Sequence, residues 1–167
     1  MPIRNPPAGY HSITPAIVVR RAAEAIEFYK RAFGATEVER FTGPDGSVMH
    51  AEIQIGDSRI MLGEESEAWG AKSPLSTNGN HGSLHIYVDD ADAAYARALA
   101  AGATVKYPLE NAFWGDRYGK VTDPYGHEWG LATRVKELTP EQMQEAGRAW
   151  MEQAAKGAFT AEVHGNA

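Results

Sequence analysis

Ala16-Ile17-Val18-Val19-Arg20-Arg21-Ala22-Ala23-Glu24-Ala25-Ile26-Glu27-Phe28-Tyr29, set above His85-Ile86-Tyr87-Val88-Asp89-Asp90-Ala91-Asp92-Ala93-Ala94-Tyr95, shows one pattern twice. Each copy reads as a short apolar strand, two charged residues and an alanine-rich helix. Each helix then stops at a glycine followed by the same pair, Gly34-Ala35-Thr36 and Gly102-Ala103-Thr104, and a β-prone segment begins. Self-similarity at a fixed offset marks a duplicated unit. Ala22, Ala25, Ile26, Tyr29 and Phe33 recur at helical spacing, and Gly34 offers the positive φ that closes a helix, so the spacing predicts a helix over 22–33. Ala91, Ala94, Tyr95, Ala98 and Leu99 predict a second over 90–101. Helices this short are marginal alone and must pack on strands.

Strand signals follow each helix. Thr36 to Phe41 alternates and ends at the hairpin-type turn Gly43-Pro44-Asp45-Gly46; Ser47 to Ile55 returns; Gly56-Asp57 turns the chain again into Ser58 to Leu62. In the second copy Thr104 to Tyr107 precedes a longer loop, then come Tyr118 to Thr122, the turn Asp123-Pro124-Tyr125-Gly126, and His127 to Thr133. The expected class is therefore α+β. Two tandem βαβββ modules, 10–64 and 83–135, should form a curled mixed sheet around a cavity, joined by a Gly-, Ser- and Asn-rich linker at 65–82. A C-terminal helix at 138–157 is announced by Thr139 as N-cap, Pro140 at the first helical position and Gln142 at the capping-box position. Met143, Ala146, Trp150 and Ala154 would line one face of it, to dock on the body or on a second subunit.

The composition bounds what such a chain does. With 167 residues and 43% hydrophobic content a sizeable core is within reach. The absence of cysteine excludes disulfides, a thiolate nucleophile, zinc ribbons and iron–sulfur ligation, and points to the reducing cytoplasm. Sixteen basic against 22 acidic residues give a net charge of −6 without long runs, which repels phosphate backbones and argues against a nucleic-acid partner. No run approaches the roughly 18 apolar residues of a membrane helix, so no membrane partner is expected. Met1-Pro2-Ile3-Arg4-Asn5-Pro6-Pro7 does not read as a signal peptide. No phosphate loop, dinucleotide fingerprint, nucleophile elbow or HExxH zinc motif occurs.

Period-two alternation sorts the strand faces. In Val48 to Ile55, Met49, Ala51, Ile53 and Ile55 should pack on a helix, leaving His50, Glu52 and Gln54 opposite. In Ser83 to Val88, Leu84, Ile86 and Val88 go inward and Ser83, His85 and Tyr87 the other way; Trp129 and Leu131 are core, with Glu128 and Gly130 opposite. An imidazole beside a carboxylate can act as an acid–base pair, ligate a metal, or simply hydrogen-bond a polar ligand or solvent. Asn111 to Gly119 adds aromatic rings, including Trp114, and the fork of Arg117, suited to a flat molecule or to a carboxylate or phosphonate. Equally, Arg117 could pair with Asp116 while Trp114 caps the core. The candidate ligand-binding set is His50, Glu52, His85, Tyr87, Trp114 and Arg117. His11 and His81 read as surface or capping residues, and His127 as a ring bonded to backbone within its turn.

Together with the tandem βαβββ pattern, Tyr10-His11, Thr14-Pro15, Phe33-Gly34-Ala35, Gly43-Pro44-Asp45-Gly46, Met49-His50-Ala51-Glu52, Ile55-Gly56-Asp57-Ser58, Tyr87-Val88-Asp89-Asp90, Gly115-Asp116-Arg117 and Asp123-Pro124-Tyr125-Gly126-His127 resemble the vicinal-oxygen-chelate superfamily of glyoxalase, bleomycin-resistance and dioxygenase proteins, in its PhnB-like branch. The resemblance implies a sheet cavity with four positions that usually supply His, Gln or Glu to a divalent metal. Here those positions fall on Thr14, Met61, Ser83 and Gly130, none of them a ligand for zinc, nickel or iron. The resemblance therefore implies no cofactor and a homodimer that binds a small polar or aromatic molecule, as bleomycin-resistance proteins do. The alternative it implies is a lyase, isomerase or dioxygenase with a divalent metal on relocated ligands drawn from His50, Glu52 and His85.

Overall fold

Both strand–helix units form where the repeat places them. The structure is a computed structural model and describes residues 5–80 and 82–156. His81 and the expected helix stop at Gly157 lie outside the described residues. In chain order the elements are β1 Ala16–Val19, α1 Ala22–Phe33, β2 Thr36–Thr42, β3 Val48–Ile55, β4 Ser58–Glu64, α2 Pro74–Thr77, β5 Ser83–Tyr87, α3 Ala91–Ala101, β6 Thr104–Asn111, β7 Asp116–Thr122, β8 Glu128–Arg134 and α4 Pro140–Ala155. They build two four-stranded mixed sheets, ordered β1-β4-β3-β2 and β5-β8-β7-β6, and neither sheet closes. In each, the first strand lies parallel to the last, Ala16 beside Met61 and Ser83 beside Glu128, and the other pairs are antiparallel.

Helices α1 and α3 end on left-handed glycines, Gly34 at φ 68 and Gly102 at φ 116. Their starts differ. Asp90 caps α3 by accepting the Ala93 N–H at 2.9 Å. The first helix has no side-chain cap of its own. Instead the Glu64 carboxylate, from the end of β4, accepts the N–H groups of Arg21 and Ala22 at 2.5 and 2.7 Å, placing negative charge on the helix N-terminus.

The two helices pack against each other between the modules, and Arg97 of α3 donates to the last-turn carbonyl of Ala32 in α1 at 2.9 Å. Phe28, Tyr29, Phe33, Tyr125 and Trp129 form one aromatic cluster across the join. Beneath it lies the buried carboxylate of Asp123, which accepts the Tyr29 hydroxyl at 2.9 Å, the Trp129 indole at 2.8 Å, and the N–H groups of Tyr125 and His127 at 2.8 and 2.9 Å. Burial, reinforced by the charge of Asp123, pushes the Tyr29 phenol well above its usual range. The His127 Nε2 is 2.9 Å from the Val18 carbonyl, which can only accept, so that nitrogen carries the proton. His127 is thus bonded to backbone, as its turn suggested.

Four features differ from the sequence expectation. First, β6 runs on to Asn111 and β7 starts at Asp116, so the expected long loop is only the turn 112–115. The ladder absorbs Pro108, which has no N–H to donate, by register shifts between Val105 and Glu110 on this edge strand. Second, the register also shifts between Phe41 and Thr42, so Val48 enters the core and Met49 is left exposed. Third, the linker carries the short helix α2. Fourth, α4 forms its capping box but buries no residue; Phe113 meets Trp150 at 5.6 Å between ring centres.

Removing the carboxylate with Asp123→Ala leaves two buried side-chain donors and two backbone donors without their acceptor. A loss of about 3 kcal/mol or more is expected in chemical denaturation. A loss below about 1 kcal/mol would show that this carboxylate does not hold the modules together.

Candidate functional site

Each sheet has one face on the helices and one face free of them, and the polar residues gather on the free faces. On the first sheet, Ala16, Met61, Glu52 and Glu39 form one row across β1, β4, β3 and β2. Val18 and Gly63 pair in the next row, and His50 pairs with Phe41. Over these rows lies a cavity of about 740 Å³, floored by Ala16, Val18, Met61 and Gly63, edged by His50 and walled by Trp69 of the linker. A Cβ at Gly63 would stand 2.7 Å from the Met49 carbonyl oxygen, so the close approach of β3 at its irregularity requires glycine there.

Glu52 is 3% exposed, among the most buried charged groups of the fold. Its Oε2 accepts the Tyr10 hydroxyl, and Arg59 Nη1 at 3.0 Å; its Oε1 faces His50 Nε2 at 3.5 Å. The Arg59 guanidinium also lies 4.5 Å from the centre of the Tyr10 ring, a cation–π contact that lays the segment before β1 against this sheet. Burial pushes the Glu52 carboxyl up, but hydrogen bonds from Tyr10 and Arg59, aided by the neighbouring His50, outweigh it and hold the group below the usual carboxylate range. Hydrogen bonding to Glu52 raises the Tyr10 phenol. Across the ladder, Glu39 is exposed and its Oε1 lies 3.9 Å from the same His50 nitrogen.

The free face of the second sheet is aromatic. His85 stacks on Tyr118 at 5.5 Å and 5°, with Tyr87 4.8 Å away. Gly130 makes the stack possible, since a Cβ there would stand 3.0 Å from both rings. Burial, with a smaller effect of Lys120, lowers the His85 pKa against the pull of Asp116. Buried Asp116 accepts the Trp114 indole at 2.9 Å and the Tyr87 hydroxyl at 3.2 Å, and Arg134 Nε stands 2.7 Å from its other oxygen. Glu128 pairs with Lys106 and Lys120 at 3.1 and 3.5 Å.

The candidate set is thereby divided. His50 and Glu52 meet on the first sheet, while His85, Tyr87 and Trp114 meet on the second. Arg117 joins neither group. It points to the helix side of β7, where it makes a two-pronged pair with Asp92 of α3 at 2.7 and 3.0 Å. Because β7 starts at Asp116, alternation puts Arg117 on the face of Val121, opposite Tyr118; its partner is Asp92 rather than Asp116. Glu39, Tyr10, Arg59 and Asp116 went unselected in the sequence reading. Period-two alternation through Ser58 to Leu62 would have found Arg59, whereas no periodic signal marks Tyr10.

Glu65 ties the linker down beside the cavity. It accepts Arg20 Nε at 2.7 Å, the Ser73 N–H at 2.8 Å and the Ser76 hydroxyl. Hydrogen bonds from Ser76, Ser73 and Arg20 hold its carboxyl down at about 2, against 4.5 ordinarily.

Residues 10–131 match the family described as Glyoxalase/Bleomycin resistance protein/Dioxygenase superfamily. An uncharacterized protein of Mycobacterium tuberculosis (strain ATCC 25618 / H37Rv) is 44% identical over 138 residues, covering 81% of this chain and 81% of the relative. The crystal structure of a gene product from Arabidopsis thaliana superposes with a TM-score of 0.60 at 28% identity, covering 74% of this chain and 98% of the other. A PhnB protein from Bacillus cereus has a TM-score of 0.58 at 21% identity, covering 74% and 99%.

Because the Glu65 pKa is depressed by folding, its contribution is fully present above about pH 4.5 and is lost as the pH falls toward 2. Amide protection over residues 66–77, measured relative to the intrinsic rate at each pH, is expected to fall in that window, and Glu65→Gln should show the lowered protection already at pH 6. Equal protection of the variant and the parent at pH 6 would contradict this.

Proposed function

We propose that this chain, which belongs to the glyoxalase/bleomycin resistance protein/dioxygenase superfamily, is a PhnB-like protein that binds a small polar or aromatic molecule on the free face of its first sheet. The observation that carries this is the cavity of about 740 Å³, within the size range of small-molecule sites. Ala16, Val18, Met49, Met61 and Trp69 supply apolar contact, and His50, backed by Glu52, is the polar group that orients a ligand. Fixing Glu52 through Arg59 and Tyr10 holds His50 opposite a charged acceptor, so the imidazole can present a hydrogen bond with little reorganisation.

The four positions from which the superfamily usually binds its metal do not fit one here. Thr14 and Ser83 offer hydroxyls, Met61 a thioether and Gly130 no side chain, and in this structure Gly130 is occupied by the stacked rings of His85 and Tyr118 above it. No chemical step is therefore assigned through that site. The alternative of a metal-dependent lyase, isomerase or dioxygenase is favoured by one observation, the approach of Glu39 to His50 and Glu52.

His85, Tyr87 and Trp114 take part as the second half of the site, supplied by a second copy of the chain in a homodimer. The support is that the cavity is lined by the first module and the linker alone, while the aromatic face of the second sheet contributes nothing to it. A reducing cytoplasm suits a chain without cysteine.

Screening aromatic and anionic small molecules by thermal shift should find binders that perturb the methyl signals of Met49 and Met61. His50→Ala is expected to weaken such a binder by roughly tenfold or more, the worth of one hydrogen bond to a polar group, and Arg117→Ala to leave it unchanged. Binders insensitive to His50→Ala that leave both methyl signals in place would overturn the reading. Light scattering at micromolar concentration should give twice the 18.1 kDa chain mass, and a monomer would remove the shared site.

A further inference from the structure

Glu39 and Glu52 face each other directly across the β2–β3 ladder. Like charges in that position repel and destabilise a sheet. Yet Glu52 is 3% exposed, where an anion has little water to dilute the repulsion. Arg59 and Tyr10 answer only half of the problem, since both approach Oε2. The other oxygen, Oε1, is turned toward His50 Nε2 at 3.5 Å, beyond the 2.7–3.2 Å of an effective N–H···O bond. That oxygen takes no short hydrogen bond, and it points at an imidazole with a second carboxylate on the far side of the same ring nitrogen.

The spacing of these groups approaches that of ligands to one ion. Glu39, His50 and Glu52 each offer one ligand atom, and the three atoms lie within 4.8 Å of one another. Donors bound at 2.0–2.2 Å to a tetrahedral ion stand about 3.3–3.6 Å apart. The His50–Glu52 separation of 3.5 Å already matches, and the His50–Glu39 separation of 3.9 Å closes with a small rotation of an exposed side chain. Arg59 and Tyr10 then have the role that outer partners have in metal sites, fixing the orientation of a ligating carboxylate.

We propose that Glu39, His50 and Glu52 bind one divalent cation of the zinc class at the edge of the cavity. One imidazole and two carboxylates suit zinc and the neighbouring first-row ions. Three protein ligands leave a coordination position, and because His50 edges the cavity, an oxygen of a bound molecule can fill it. The site lies on β2 and β3, next along the row from Met61, and uses none of Thr14, Met61, Ser83 and Gly130. The inference goes beyond the cavity reading and stands without it, since the ion is held by protein groups alone.

The test uses full-length protein stripped with a chelator and titrated with zinc by calorimetry, and with cobalt(II) by visible absorption, no organic ligand being present. One ion per chain is expected, with the intense cobalt bands of a four- or five-coordinate site and a shift of the His50 Nε2 nitrogen resonance. Glu39→Gln alters an exposed side chain away from the core and should weaken zinc at least tenfold; His50→Gln should do the same, and His11→Gln should not. Absence of saturable binding at millimolar zinc, or binding that survives both Glu39→Gln and His50→Gln, would overturn the proposal. The small-molecule screen is run on chelator-stripped protein, so failure of zinc binding and failure of the cavity reading are told apart.

Discussion

A single buried carboxylate, that of Asp123, gathers donors from α1, from its own turn and from β8, and in doing so locks the closing turn of the second module onto the helix of the first. Four hydrogen bonds to one anion offset the loss of its hydration, which an unpaired charge in that place could not do. The neighbouring bond from His127 to the Val18 carbonyl carries the link to β1. With both helices committed to this join, the opposite face of each sheet is left without a helix, and those are the faces on which His50 and His85 stand.

What happens on those faces is governed by charge and by the lack of side chains at key glycines. Gly63 lets β3 swing close over β4, and Gly130 leaves room for the stack of His85 on Tyr118. Glu52, half answered by Arg59 and Tyr10, keeps an acceptor beside His50. The first face is therefore an apolar basin with one polarised corner, and the second an aromatic shelf over the buried anion Asp116. Membership of the glyoxalase/bleomycin resistance/dioxygenase superfamily explains the architecture.

Much of the fold was legible because its signals are local. Alanine-rich helical spacing closed by Gly34 and Gly102 locates α1 and α3 to within a residue, and the turn glycines locate the hairpins. Alternation put His50, Glu52, His85 and Tyr87 on their faces correctly. It failed at Met49, where an irregular register exchanges that residue for Val48, because an irregularity breaks the count on which alternation relies. It gave no direction for Arg117, because Pro108 and the aromatic turn disguised how far β6 and β7 extend. The approach of Tyr10 and Arg59 to Glu52, and of Glu39 to His50, arises between segments and strands and has no sequence-local signature.

The free face of the first sheet is the proposed seat of a small molecule. A crystal structure of the protein with its tightest screened binder tests it most directly. Density is expected over Ala16, Val18 and Met61 with a polar atom within hydrogen-bond distance of His50; density confined to any other surface, with the basin holding only solvent, would contradict the proposed site.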